Sequence, residues 1–398
     1  MFESLPFESM SLSMPYDFAT PLDRRQYPSQ KWQRYADDVL PLWVADMDFV
    51  SPPAVVSALE ERVSHGVFGY GRLTDTLRET LCAWSVDHYG WSIEPDWQVW
   101  IPGVVPALHL AAQAFCSPGQ AVMTATPIYP PFLRVAERSG RIAERVMLTE
   151  PEVPGAPWRL DLDALEAAIT PQTRLLLWCH PHNPTGRVWN EHELHALGEL
   201  AERHDLLIVS DELHCDLILD PTRRHLPLAS LSPALAQRTI TLWAPSKTFN
   251  IAGLSSACAV IPDPELRRRF REAAAGLLPE VNVLGLTASQ AAYAHGDAWR
   301  RELLATLNTN LQRLRDHVTH WPGVTMAAPE ATYLAWLDMR ESGLGASPQQ
   351  TLLDATRVAL SDGADFGCPG FVRLNFGTPT HLLEEALERL DTRLCHSG

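Results

Sequence analysis

Ala244-Pro245-Ser246-Lys247-Thr248-Phe249-Asn250 follows directly on the apolar run Thr239-Ile240-Thr241-Leu242-Trp243, and it carries one of only two lysines in the chain, the other being Lys31. Thirty arginines fill the remaining basic positions. A lysine amine set near a strand end can be desolvated, lose its proton near neutral pH and form an imine with a carbonyl. A guanidinium stays charged and is a poor nucleophile. Lys247 is therefore the first candidate for covalent chemistry, against the plainer reading that one lysine has survived a general preference for arginine.

Outward from Lys247, short apolar runs alternate with amphipathic stretches. Trp97-Ile101, Ala121-Thr124, Leu175-Cys179, Leu206-Ser210, Thr239-Trp243 and Ala257-Ile261 have the length and composition of strands in a parallel sheet covered on both faces. Between them Pro106-Phe115, Leu162-Ala168, Glu191-His204 and Pro264-Leu277 place apolar residues three and four apart, several beside Ser, Asn or Asp caps. The fold class is α/β. After about residue 285 a long helical stretch, Thr287 to His320, is followed by Thr332-Leu337, a helix near Gln349-Ala359 and a strand at Phe371-Phe376, which predicts a smaller α+β domain. The expected organisation is an N-terminal segment, 1–45, packing on the small domain with its extreme end disordered, a large domain at 46–285 and the small domain at 286–398.

With 46% hydrophobic and 20% charged residues over 398 positions, the chain can bury a large core and reads as an ordinary soluble globular protein. A formal net charge of −16 disfavours nucleic acid and anionic membranes as partners, so any bound anion must be held locally. No apolar stretch approaches the roughly 20 residues needed to span a bilayer, and Met1 to Tyr16 is too polar for a signal peptide, which predicts a cytoplasmic protein. The seven cysteines are scattered without C-x-x-C spacing, arguing against a disulfide framework or a zinc site. Cys179, His180 and His182 cluster, but interposed prolines and the following glycine read as a strand entering a loop rather than a metal site.

In an open α/β sheet ligands bind at the carboxyl ends of strands, so the residues after each run are the candidate site. Pro102-Gly103-Val104-Val105 is a glycine turn entering a helix, whose free N–H groups and dipole suit a phosphate. His180-Pro181-His182-Asn183-Pro184-Thr185-Gly186 is a fixed loop in which Asn183 offers an amide donor or an Asx turn. Asp211 stands at a strand end, placed either to cap a helix or to face a protonated ring nitrogen. Ser246 and Lys247 arrive together after the next strand.

Asn-Pro-x-Gly, then Asp, then Ser-Lys in this order resembles the pyridoxal-phosphate (PLP) enzymes of fold type I, the class I/II aminotransferase superfamily. Pro41-Leu42-Trp43-Val44-Ala45-Asp46-Met47-Asp48-Phe49, His65-Gly66-Val67-Phe68-Gly69-Tyr70, Thr126-Pro127-Ile128-Tyr129-Pro130-Pro131-Phe132 and Ser246-Lys247-Thr248-Phe249-Asn250-Ile251-Ala252-Gly253-Leu254 resemble its MalY/PatB subgroup, cystathionine or cysteine-S-conjugate β-lyases. The resemblance runs from about Tyr16 to Leu390.

The resemblance implies that Lys247 carries PLP through an imine and then moves the substrate Cα proton. It implies that Asp211 keeps the pyridinium nitrogen protonated, Tyr129 stacks on the ring, Asn183 donates to the ring hydroxyl oxygen, and Ser246 with the N–H groups of Val104 and Val105 after Gly103 holds the phosphate. Tyr70 resembles the residue that reaches that phosphate from a neighbouring subunit, implying a homodimer. Arg373, in Gly370-Phe371-Val372-Arg373-Leu374-Asn375-Phe376, matches the arginine that grips the substrate α-carboxylate. His214 lies near the cofactor, where related aminotransferases carry a tyrosine.

Many aminotransferases of the superfamily have an arginine eight residues after the lysine; here that position is Ser255, as in the lyase subgroup. Tyr129 is followed by Pro130, where some members have a second tyrosine. The expected activity is β-elimination from L-cystathionine or related cysteine S-conjugates to a thiol (homocysteine from cystathionine), pyruvate and ammonia. The alternatives are an aminotransferase that needs a 2-oxo acid acceptor and, because some members of the subgroup also act on transcription regulators, a regulatory protein-binding role, for which no surface is marked in the sequence.

Overall fold

The computed structural model describes residues 16–395. The expected disorder of the extreme N-terminus lies outside the described residues. Seven strands form the central sheet: β1 (Gln98–Ile101), β2 (Ala121–Thr126), β3 (Ile142–Met147), β4 (Thr173–Cys179), β5 (Leu207–Asp211), β6 (Thr239–Trp243) and β7 (Ala257–Val260), in the spatial order β3-β2-β4-β5-β6-β7-β1. All run parallel except β7, which is antiparallel to both neighbours.

The sheet is mostly parallel and flanked by helices, as the sequence leads one to expect, with β7 its one antiparallel member. The thirteen residues 244–256 between β6 and β7 form turns, including the single 3-10 turn Ala252–Leu254, and hold no α-helix of the kind that usually makes a parallel crossover. One difference is β3, absent from the sequence-based set: it is an edge strand with mostly exposed, partly charged residues, so it lacks the apolar run used to find the others.

Both faces of the sheet are buried, as the unbroken apolar runs require. In β4, Leu175 and Leu177 pack with Leu108, Phe115, Phe132 and Phe270 on one face, while Leu176 and Trp178 pack with Trp189, Leu194 and Leu197 on the other. The helix following β1, α1 (Val104–Phe115), contributes seven buried residues to the first of these layers. The helix α2 (Pro130–Arg138) opens with two prolines, which suit a first turn that needs no N–H.

The expected single stretch from Thr287 to His320 is two helices, α3 (Val283–His295) and α4 (Asp297–Val318). Gly296 separates them: a Cβ there would come within 2.4 Å of both the Ala292 carbonyl oxygen and a Phe249 ring carbon. The C-terminal part adds a four-stranded antiparallel sheet of β8 (Thr325–Met326), β9 (Leu334–Asp338), β10 (Ser361–Asp362) and β11 (Phe371–Asn375), in the order β10-β11-β9-β8. Near the N-terminus Leu40–Pro41 pairs in parallel with Val358–Ala359, Asp38 forms an ion pair with Arg357, and Phe18 packs against Trp299. These contacts bring residues 43–46 across the carboxyl ends of β4, β5 and β6, where they meet Arg373 and Lys247.

Candidate active site

Lys247 lies four residues beyond β6, in a loop pinned on both sides. Thr248 Oγ1 donates to Asp216 Oδ2 at 3.1 Å, and Asn250 clamps the 47–49 backbone by donating from Nδ2 to the Met47 and Phe49 carbonyls and accepting from the Met47 N–H. The Lys247 amine donates to the Ala45 carbonyl at 2.6 Å. Burial lowers its pKa to about 8, with Arg373 acting in the same direction and Asp46 and Asp211 opposing. A substantial fraction of an amine with that pKa is neutral and nucleophilic slightly above pH 7. Lys31, by contrast, is fully buried in an ion pair with Asp48 at 2.7 Å, so one of the two lysines is committed to structure.

Asp211 ends β5 and is buried, and its carboxylate receives a hydrogen bond from the Leu213 N–H at 3.2 Å. It caps no helix. Burial, with neighbouring Glu212, raises its pKa to about 7, while Lys247 pulls the other way. A buried carboxylate with no cation in hydrogen-bond contact among the described residues fits a protonated ring nitrogen, which would supply the missing charge. Next to it His214 is buried with its pKa lowered to about 3, chiefly by burial and by Lys247 and Arg373; its Nδ1 has no partner and its ring meets Tyr333 edge-on.

Gly103 precedes α1 with φ 129° and ψ 161°, a conformation a side chain strains against. No side chain caps this helix, so the N–H groups of Val104 and Val105 are left for an anion, and Pro106 has none to offer. The Ser246 hydroxyl makes no hydrogen bond among the described residues. These features fit the phosphate of PLP, as Asp211 fits its ring nitrogen and Lys247 its aldehyde.

Arg373, on β11, is buried without any carboxylate in contact among the described residues. Its Nη1 donates to Asn183 Oδ1 at 2.9 Å, its Nη2 to the Trp43 carbonyl at 3.0 Å, and its Nε has no partner. Burial lowers its pKa to about 10, which leaves it charged at neutral pH. A buried cation with an idle donor and no counterion is built to receive an anion. Asn183 uses its oxygen on Arg373, which leaves its Nδ2 free to donate, and its carbonyl receives the Tyr129 N–H at 3.1 Å. Tyr129 is half-buried, its pKa raised by burial and partly restored by Arg373.

The structure thus gathers Lys247, Asp211, His214, Asn183, Tyr129 and Arg373 about one cleft, with Ser246 beside Lys247. Tyr70 stands apart: it is fully exposed in the loop after Gly66, flanked by exposed Val67 and Phe68, and touches none of the other candidates. Reading the residue types missed the backbone strap 43–46, whose Trp43 and Ala45 carbonyls hold Arg373 and Lys247, and Tyr333, which donates to the Ala45 carbonyl at 3.1 Å. Carbonyl acceptors leave no mark on residue identity. Cys179 accepts from the Asn183 N–H, His180 bonds the Leu226 carbonyl, and His182 bonds Thr185, so this cluster builds the loop that carries Asn183.

Residues 37–390 match the aminotransferase class I and II family. The chain belongs to that family. It is 39% identical to cystathionine beta-lyase PatB of Bacillus subtilis, covering 92% of this chain and 96% of that protein. Among solved structures, it superposes on the crystal structure of OvoB with a TM-score of 0.92 at 45% identity, over 96% of this chain and 100% of that one. It also superposes on cystalysin from Treponema denticola, which contains a pyridoxal 5'-phosphate cofactor, with a TM-score of 0.90 at 33% identity, over 96% and 99% of the two chains.

Proposed function

We propose that this family member is a PLP-dependent carbon–sulfur β-lyase that cleaves L-cystathionine or related cysteine S-conjugates to a thiol, pyruvate and ammonia. The observation that carries the reading is the conjunction, around one cleft, of a depressed-pKa lysine, a buried carboxylate with no cation in hydrogen-bond contact and a buried arginine with no carboxylate in contact among the described residues. Each lacks the partner that PLP or an α-amino acid would bring. The lyase-named relative and Ser255, where transaminases often carry an arginine, support elimination over amino transfer.

When bound, PLP supplies an electron sink for the pair released by the Cα–H bond. Lys247 would hold the cofactor through its amine, and the same amine is placed to take up the substrate's Cα proton. Asp211 would keep the ring nitrogen protonated, Asn183 would donate to the ring oxygen, Tyr129 would cover the ring, and Ser246 with the Gly103 turn would hold the phosphate. Arg373 would take the α-carboxylate and so fix the orientation of the substrate's Cα toward Lys247. The Cβ–S bond then breaks with its electron pair leaving on the thiolate, and the released aminoacrylate hydrolyses to pyruvate and ammonia. The functional unit is a homodimer in which Tyr70 reaches the phosphate of the neighbouring site, consistent with its full exposure beside Val67 and Phe68. A division into 1–45, 46–285 and 286–398 is supported by the separate seven- and four-stranded sheets and by the pairing of Leu40–Pro41 with Val358–Ala359, and seven free cysteines suit a reducing, cytoplasmic setting.

The test is pyruvate release from L-cystathionine by the PLP-loaded protein with no 2-oxo acid added. Sustained turnover is expected. Conversion of the cofactor to its amine form, stopping at one equivalent until a 2-oxo acid is supplied, would instead establish an aminotransferase.

A further inference from the structure

We propose that Arg34 and Arg134 recognise the far end of the substrate, so that the enzyme selects thioethers whose thiol half carries its own amino-acid head. This rests on the lyase reading and names the substrate class within it. A cavity of about 710 Å³ opens outward from Arg373 and Tyr129, and both arginines line it. Each is tied to a residue already in the site. Arg34 lies over the Trp43 indole at 4.5 Å, and the carbonyl of that same Trp43 holds Arg373. Arg134 follows Tyr129 by just over one turn on α2.

Neither arginine makes an ion pair or hydrogen bond among the described residues, although most arginines of this chain do. Asp362 and Asp365 line the same cavity, yet neither is paired with them. Asp362 only caps the turn at Ala364, and Asp365 is exposed. Opposite charges that share a cavity without meeting leave room for a ligand bearing both signs. A carboxylate would take the two guanidinium groups and an ammonium the two aspartates, as in the homocysteine half of cystathionine. The alternative, four independently solvated surface charges, predicts no discrimination between charged and uncharged thiol halves.

The experiment compares kcat/KM for L-cystathionine with that for S-propyl-L-cysteine, which lacks the distal head, in the holoenzyme and in Arg34→Gln, Arg134→Gln and the double variant. The ratio between the two substrates is expected to fall about tenfold in the double variant, carried by KM rather than kcat, and the fall should shrink in high salt. A fault in folding would lower both rates and leave the ratio in place. An unchanged ratio in a variant that keeps the wild-type rate on S-propyl-L-cysteine, or a loss lying wholly in kcat, overturns the proposal. A wild-type enzyme that cleaves S-propyl-L-cysteine but not cystathionine overturns it while the lyase reading stands. One that cleaves neither removes the lyase reading, and the proposal falls with it.

Discussion

Asp211 and Lys247 are held close to their titration points for the same reason: each is desolvated before its partner arrives. For Asp211 the folded pKa of about 7 lies above its ordinary value of 3.8, so the native apoprotein binds more protons than the unfolded chain between those limits. Stability is therefore lost as pH rises from about 4 to 7, by up to about 4 kcal/mol if the whole difference is expressed. Asp211→Asn removes the titrating group. The apoprotein of that variant should melt above wild type at pH 8 and converge toward it near pH 4, while its PLP complex loses the electron sink and turns over at least a hundredfold more slowly. Scanning fluorimetry across that pH range checks the first part and steady-state rates the second. At this scale much was legible. The scarcity of lysine singled out Lys247, and position after a strand end singled out Asp211. Arg373 was one of thirty arginines and needed the family's wording around it; nothing in its own residue type distinguished it from a surface cation.

Among the elements, the turn into α1 bears most on cofactor affinity. Gly103 adopts a conformation that only glycine takes without strain, and the helix behind it has no side-chain cap. Gly103→Ala should cost about 1–3 kcal/mol through the backbone alone and turn the first N–H groups away from the phosphate. PLP binding, followed by cofactor absorbance on titration into apoprotein, is expected to weaken at least tenfold; full retention would mean that the phosphate is held elsewhere. Elements buried on both faces were read from their apolar runs, and β6 was found with its observed limits. The edge strand β3 was not, because half-buried Glu144 and exposed Arg145 erase the apolar signal, and the break at Gly296 was hidden because helical periodicity continues on both sides of it. The direction of β7 was not in its composition either; it goes with the turns, in place of a crossover helix, in the thirteen residues that separate it from β6.

Across the whole molecule, the strap 43–46 brings the N-terminal segment to the cleft, and its carbonyls connect Lys247, Tyr333 and Arg373 through backbone alone. That linkage is a property of the assembled chain and has no sequence signature beyond the family motif. Tyr70 extends the same logic past one chain. If it serves the neighbouring site, Tyr70→Ala and Lys247→Ala subunits, each weak alone, should form hybrid dimers with one intact site. Co-refolding in equal amounts is expected to restore about a quarter of wild-type activity. No recovery would place Tyr70 outside the shared site.

The central claim is that Lys247 is the amine that holds the cofactor, and the two-lysine composition makes it directly testable. Borohydride reduction of the PLP-loaded protein, followed by digestion and mass spectrometry, should find the pyridoxyl phosphate group on the peptide containing Lys247 and none on that containing Lys31. Label on Lys31, or a protein that binds PLP and yields no labelled lysine, would contradict the account.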